Sequence, residues 1–79
     1  MDITKENIAK IINETCEIDI SSYTDDLILC GVDSLCFIQA IVVLEDEFNC
    51  EIPDEYLDIG KINTIEKIHT LIKGLLENE

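Results

Sequence analysis

Arginine and tryptophan are absent from this sequence of 79 residues, in which 5 lysines face 18 acidic side chains and the net charge is −13. Binding to nucleic-acid phosphates and to anionic membrane surfaces depends on Lys and Arg, so neither is an expected partner. The charge instead predicts protein partners with basic docking surfaces, because a strong field steers complementary proteins together. A monomer is expected, since copies of so acidic a chain repel one another.

Long apolar runs are also missing. The most apolar stretch, residues 35–44, includes Gln39 and falls far short of the ~18 residues that a membrane helix needs. The first six residues contain neither the basic region nor the apolar core of a signal peptide. We therefore expect a cytoplasmic protein, and its length predicts one domain over residues 1–79.

Metal-ligand spacings are absent too. The four cysteines include no C-x-x-C pair, and the one histidine, His69, has no ligand-like neighbour and is expected at the surface. We expect no metal site and reduced thiols. Cys16 and Cys30 are expected in the core, Cys50 in a loop, and Cys36 as a half-buried small side chain. The alternative for Cys36 is a reactive thiol at a helix N-terminus.

Catalytic motifs are likewise missing. The sequence contains no G-x-S-x-G elbow, no Walker loop, no G-x-G-x-x-G and no H-E-x-x-H. We therefore expect no enzyme. An esterase-like activity would need a second catalytic residue near Ser34, and none is evident.

Apolar residues do recur at helical spacing, in three segments. These are residues 4–16, 33–48 and 64–76, and a short helix is expected between Pro53 and Gly60. Each main helix begins at residues suited to capping, which are Thr4, then Asp33 or Ser34, then Asn63 or Thr64.

Residues 17–32 show no clear period and are expected to form a long loop. We expect this loop to be pinned by Ile18, Ile20, Tyr23 and Leu27, with its apolar end, residues 27–31, packed inward. Tyr56, Leu57 and Ile59 are expected to cover one side of the core. The fold class is therefore all-α: a small bundle of three main helices and one short helix, with a long first loop.

The second helix is unusual because its first ten residues are apolar on nearly all sides. A chain of this length has too few elements to surround such a helix, so part of its surface is expected to face a partner. Ser34 stands where the helix begins, and the free N–H groups and partial positive charge there favour a phosphate on its hydroxyl. Taken alone, these residues favour a simple N-cap at Ser34 or Asp33.

The wider pattern resembles acyl carrier proteins and peptidyl carrier proteins. The segment Gly31-Val32-Asp33-Ser34-Leu35 is similar to their phosphopantetheine attachment motif. Residues 44–48 and 51–55 look like the acidic end of the family's second helix and the entry to its short third helix. Ile8, Ile11, Ile12 and residues 64–68 resemble its first-helix core and the start of its last helix, so nearly the whole chain is covered.

The resemblance implies that a phosphopantetheinyl transferase attaches 4′-phosphopantetheine from coenzyme A to Ser34. Asp33 would assist the transferase's metal-dependent docking, and Leu35, on the other side of Ser34, would belong to the same attachment site. The arm's thiol would hold acyl or aminoacyl groups as thioesters for loading and processing enzymes, whether adenylating, acyltransferase, synthase or condensation enzymes. The family pattern places Ala40, Ile41, Leu44 and Phe48 in the core, and makes a partner-facing strip of Leu35, Ile38, Gln39, Val42, Glu45 and Asp46.

Three departures separate the sequence from the fatty-acid carriers that it resembles. Cys36 stands where those carriers usually have Asp. Phe37 follows it and Gln39 replaces a usual Glu, so the strip is expected to be more apolar and less acidic near the arm. The loop between Ile18 and Asp33 looks shorter. These features favour a free-standing carrier of a specialised polyketide or nonribosomal peptide pathway. The alternatives are a housekeeping fatty-acid carrier and an unmodified helical interaction module.

Overall fold

The first helix, α1 (Lys5–Cys16), begins directly after the predicted N-cap and ends at the last residue of the predicted segment. The structure, a computed structural model, describes residues 3–58 and 60–77. The Thr4 hydroxyl accepts a hydrogen bond from the Asn7 N–H at 3.1 Å, which confirms Thr4 as the N-cap. Glu17 ends the helix in the left-handed conformation, with φ of 55°. Ile8, Ile11 and Ile12 are buried, as expected.

The long first loop is pinned to the helices largely as predicted. Ile18 and Ile20 pack against the core, and Leu27 is completely buried. The Ile20 N–H donates to Asn13 Oδ1 on α1 at 3.0 Å. The Leu27 N–H donates to the Asn63 carbonyl at 2.7 Å, which connects the loop to the segment preceding the last helix.

Two expectations for this loop are wrong. Tyr23 is 40% exposed and is not part of the core, and its backbone carbonyl anchors the loop by accepting from the Glu66 N–H at 3.1 Å. The apolar end does not pack inward as a unit, because Ile28 is 50% and Leu29 is 87% exposed. Backbone hydrogen bonds curl residues 26–31 into turns, and a turn cannot direct consecutive side chains to one side.

The second helix, α2 (Ser34–Phe48), packs against α1 through one face. Ala40, Ile41, Leu44 and Phe48 are buried, which confirms their core assignment. Phe37 is also buried, so the expectation that it adds to an exposed strip is wrong. Its position one turn before Ala40 and Ile41 places it on the face that meets α1.

A 3₁₀ turn (Asp54–Tyr56) follows Pro53, where a short helix was expected. Leu57 packs against the core, but Tyr56 is 37% exposed and covers less of it than predicted. Ile59 lies outside the described residues.

The last helix, α3 (Ile65–Glu77), also packs against α1. Thr64 is the capping residue, because its hydroxyl accepts from the Lys67 N–H at 3.1 Å. Ile65, Ile68 and Ile72 are fully buried, and His69 is half-buried rather than at the surface. The core therefore lies where α2, α3 and the loops meet α1, and the all-α bundle predicted from the sequence is confirmed.

No helix in the described part of the chain is long and apolar enough to cross a membrane.

Candidate functional site

The segment that precedes α2 is shaped by one glycine and one buried valine. Gly31 has a φ of 102°, which side-chain-bearing residues rarely adopt, and it turns the chain back toward the core. Val32 then anchors the segment, because its side chain is buried and its N–H donates to the Leu27 carbonyl at 3.0 Å. The start of α2 is therefore held in place by backbone geometry and packing.

Asp33 is the N-cap of α2. Its Oδ1 accepts a hydrogen bond from the Cys36 N–H at 2.8 Å, and its backbone is extended. This hydrogen bond from the Cys36 backbone lowers the pKa of the Asp33 carboxyl, so the side chain is ionised at neutral pH. Of the two capping residues that the sequence allows, the structure selects Asp33.

Ser34 is consequently released from capping. It is the first residue of α2 and is exposed. Its hydroxyl makes no hydrogen bond within residues 3–58 and 60–77. A phosphate bound at this oxygen would lie beside the helix N-terminus, whose free N–H groups and partial positive charge stabilise anions. The chemistry of the site therefore fits a phosphodiester on Ser34.

The predicted strip on α2 is mostly present as an exposed surface. Leu35 is 67% and Val42 is 58% exposed, while Gln39 and Asp46 are also open to solvent and Ile38 is partly so. The sequence pattern missed Val43, which is 36% exposed on the same helix.

Glu45 differs from the rest of the strip. Its side chain is half-buried, and its Oε2 accepts from the buried Ile52 N–H at 2.9 Å. This carboxylate therefore ties the chain after α2 back onto the helix. Sequence spacing alone could not show this, because the hydrogen bond spans seven residues across the end of the helix.

Ile28 and Leu29 are two exposed apolar residues that the sequence analysis missed as surface candidates. They lie in the loop six and five positions before Ser34, and Cys30 separates them from Gly31. A signal was available, since a run of apolar residues next to a turn-forming glycine need not be buried. We add them to the candidate surface around the helix start.

The cysteines are all half-buried, and no disulfide joins those in the described chain. Cys16, Cys36 and Cys50 pack against the core, with Cys50 in the loop after α2 as expected. The expectation that Cys30 lies in the core is wrong, because Cys30 is half-buried but is not among the side chains that pack on the core. No group of three or more His, Cys, Asp or Glu side chains in the described residues could hold a metal ion.

Comparison with known families agrees with this geometry. Residues 6–72 match the PP-binding family, described as a phosphopantetheine attachment site. The match covers most of the chain, so the protein belongs to this family of phosphopantetheine-dependent carrier proteins, which includes the acyl and peptidyl carriers. Its prosthetic group is a covalently attached 4′-phosphopantetheine.

Proposed function

We propose that Ser34 is the attachment residue, and that the chain carries acyl or aminoacyl groups as thioesters on the arm bound there. The observation that supports this most directly is the division of roles at the helix start. Asp33 caps α2, so the Ser34 hydroxyl is exposed and available. In the transfer step, Ser34 Oγ would form a bond to phosphorus as the pyrophosphate bond of coenzyme A breaks and the nucleotide leaves.

Asp33 and Leu35 flank this oxygen and would meet the transferase. The lowered pKa of Asp33 keeps a negative charge beside Ser34 at neutral pH, which suits docking to a metal-containing transferase site. Leu35 is exposed despite being apolar, which suits contact with a partner protein.

The partner-facing strip is proposed to consist of Leu35, Ile38, Gln39, Val42 and Asp46, with Ile28 and Leu29 beside the arm. Glu45 contributes charge there, but its carboxylate also holds Ile52. The net charge of −13 would attract basic docking surfaces on the transferase and on loading and processing enzymes. The chain itself would catalyse no step.

The type of pathway in which the carrier works is also proposed here. Gln39 is exposed where fatty-acid carriers usually have Glu, which favours a free-standing carrier of a specialised polyketide or nonribosomal peptide pathway. Phe37 no longer supports this, since it is buried. We further propose that residues 1–79 act as one carrier domain, monomeric and in the cytoplasm.

The test is intact-mass measurement after incubation with coenzyme A, Mg²⁺ and a phosphopantetheinyl transferase of broad specificity. Wild type should gain one phosphopantetheinyl group and Ser34→Ala none. Ser21→Ala is the matched control, because Ser21 is also exposed but lies in the first loop and is not the first residue of a helix. It should be modified like wild type.

Circular dichroism should show that both variants keep the helical fold. If folded wild type gains no mass, or if Ser34→Ala is still modified, the assignment of Ser34 is wrong. In the first case the exposed face of α2 would instead be studied as an unmodified interaction surface.

A further inference from the structure

Two cysteines from different helices meet close to the proposed attachment residue. Cys16 is the last residue of α1, and Cys36 lies in the first turn of α2, two positions after Ser34. The Cys16 thiol donates to the Cys36 carbonyl at 3.5 Å, and after burial the neighbouring Cys36 does most to raise the pKa of Cys16. Both side chains are half-buried, so small reagents can reach them.

We propose that Cys16 and Cys36 form a reversible intramolecular disulfide by exchange with a small disulfide of the glutathione type. This goes beyond carrier function, because neither thiol takes part in attaching or loading the arm. The two residues are 20 positions apart, and the loop closed by the bond contains Ser34. The disulfide would therefore clamp the end of α1 to the turn that presents the attachment residue.

The exchange has a defined order. The pKa of the Cys16 thiol is raised to about 11, mainly by burial and to a lesser extent by the neighbouring Cys36. Cys16 is therefore protonated at neutral pH. Cys36 would attack the external disulfide first, forming a mixed disulfide and releasing one thiol, which takes up the proton that Cys36 loses. Cys16 would then lose its proton to water and attack the Cys36 sulfur, releasing the second thiol. In total, two protein thiols are oxidised and one external disulfide is reduced.

The other two cysteines provide a matched comparison. Cys30 and Cys50 are also 20 positions apart, but they lie beyond opposite ends of α2. A helix of 15 residues is about 22 Å long, far more than the ~7 Å between Cα atoms that a disulfide can span. The pairs Cys16–Cys36 and Cys30–Cys50 would thus close loops of equal length, but only in the first pair are the two residues adjacent in the fold.

The experiment uses Ser34→Ala in both proteins, so that no arm thiol is present. One protein also carries Cys30→Ser and Cys50→Ser, and the other carries Cys16→Ser and Cys36→Ser. Each is incubated with oxidised and reduced glutathione at neutral pH, then alkylated and weighed intact. Circular dichroism confirms that both are folded.

The first protein should lose two hydrogens and both alkylation sites while remaining monomeric. Its internal disulfide should exceed its glutathione adducts at least about tenfold, because adjacent thiols have a high effective concentration. The second should give only glutathione adducts. Peptide mapping of oxidised wild type, which does not depend on the substitutions, should recover the peptide joined through Cys16 and Cys36. Glutathione adducts or dimers as the main product of the first protein, or absence of that cross-linked peptide, would overturn the proposal.

Discussion

Replacing Phe37 with leucine should destabilise the fold, whereas replacing Leu35 with alanine should leave its stability nearly unchanged. The two residues lie two positions apart in the first turn of α2, but Phe37 is 2% and Leu35 is 67% exposed. The sequence gives both an apolar side chain, so the pair tests which face of α2 belongs to the core.

The structure sets the size of the effect. Truncating a buried Phe to Ala costs about 3–5 kcal/mol. A chain of 79 residues is expected to have a free energy of unfolding of about 4–12 kcal/mol, at about 0.05–0.15 kcal/mol per residue. At the lower end of this range, an alanine at Phe37 would leave little folded protein to measure. Leucine keeps most of the apolar volume, and we expect Phe37→Leu to cost about 1–2 kcal/mol.

Thermal and urea unfolding followed by circular dichroism measure this directly. For a domain of this size, each kcal/mol lowers Tm by about 4–8 °C, so Phe37→Leu should lower Tm by about 5–15 °C. Leu35→Ala should stay within about 0.5 kcal/mol of wild type, because it removes few contacts. In the transferase assay the order should reverse, with Leu35→Ala modified more slowly and folded Phe37→Leu modified normally. An unchanged Tm in Phe37→Leu, or an equal loss in both variants, would refute the assignment of faces.

Three further predictions concern substitutions at single positions. Glu45→Ala should lower the free energy of unfolding in urea by about 1–3 kcal/mol, because the buried Ile52 N–H loses its acceptor. Glu45→Gln should retain most of the stability. Equal losses in the two variants would contradict the role of this hydrogen bond. The pKa of Asp33 is lowered from 3.8, so its ionised form stabilises the fold at neutral pH, and this contribution is lost as the pH falls through the lowered pKa. The stability difference between wild type and Asp33→Asn, measured by urea unfolding at several pH values, should therefore shrink in acid. A difference independent of pH would argue against a stabilising role for the ionised carboxylate. Gly31→Ala should cost about 1–3 kcal/mol in thermal unfolding because of its positive φ. Gly74 lies inside α3 with open space around it, so Gly74→Ala should raise the free energy of unfolding by about 0.5–1 kcal/mol. Stability changes of the same sign in the two glycine variants would be inconsistent with the backbone geometry.

Local chemistry made the helices predictable. Thr4 and Thr64 each stand before a regular apolar period, and both cap a helix within one residue of the expected start. The buried residues of α1 and α3 follow the same period, because each helix is polar on its opposite face and has only one apolar face to bury. The motif around Ser34 resembles the attachment motif of the carrier family, and the acidic composition agrees with that resemblance.

The residues of α2 alone do not define its arrangement, although the family resemblance placed Leu35 and Val42 on its exposed strip. A helix that is apolar on nearly all sides does not define its own buried face, and contact with α1 selects Phe37 for the core while Leu35 and Val42 stay exposed. The choice of Asp33 rather than Ser34 as the cap depends on the backbone after Gly31. The Glu45–Ile52 hydrogen bond and the meeting of Cys16 with Cys36 join residues distant in sequence, and only packing brings such groups together.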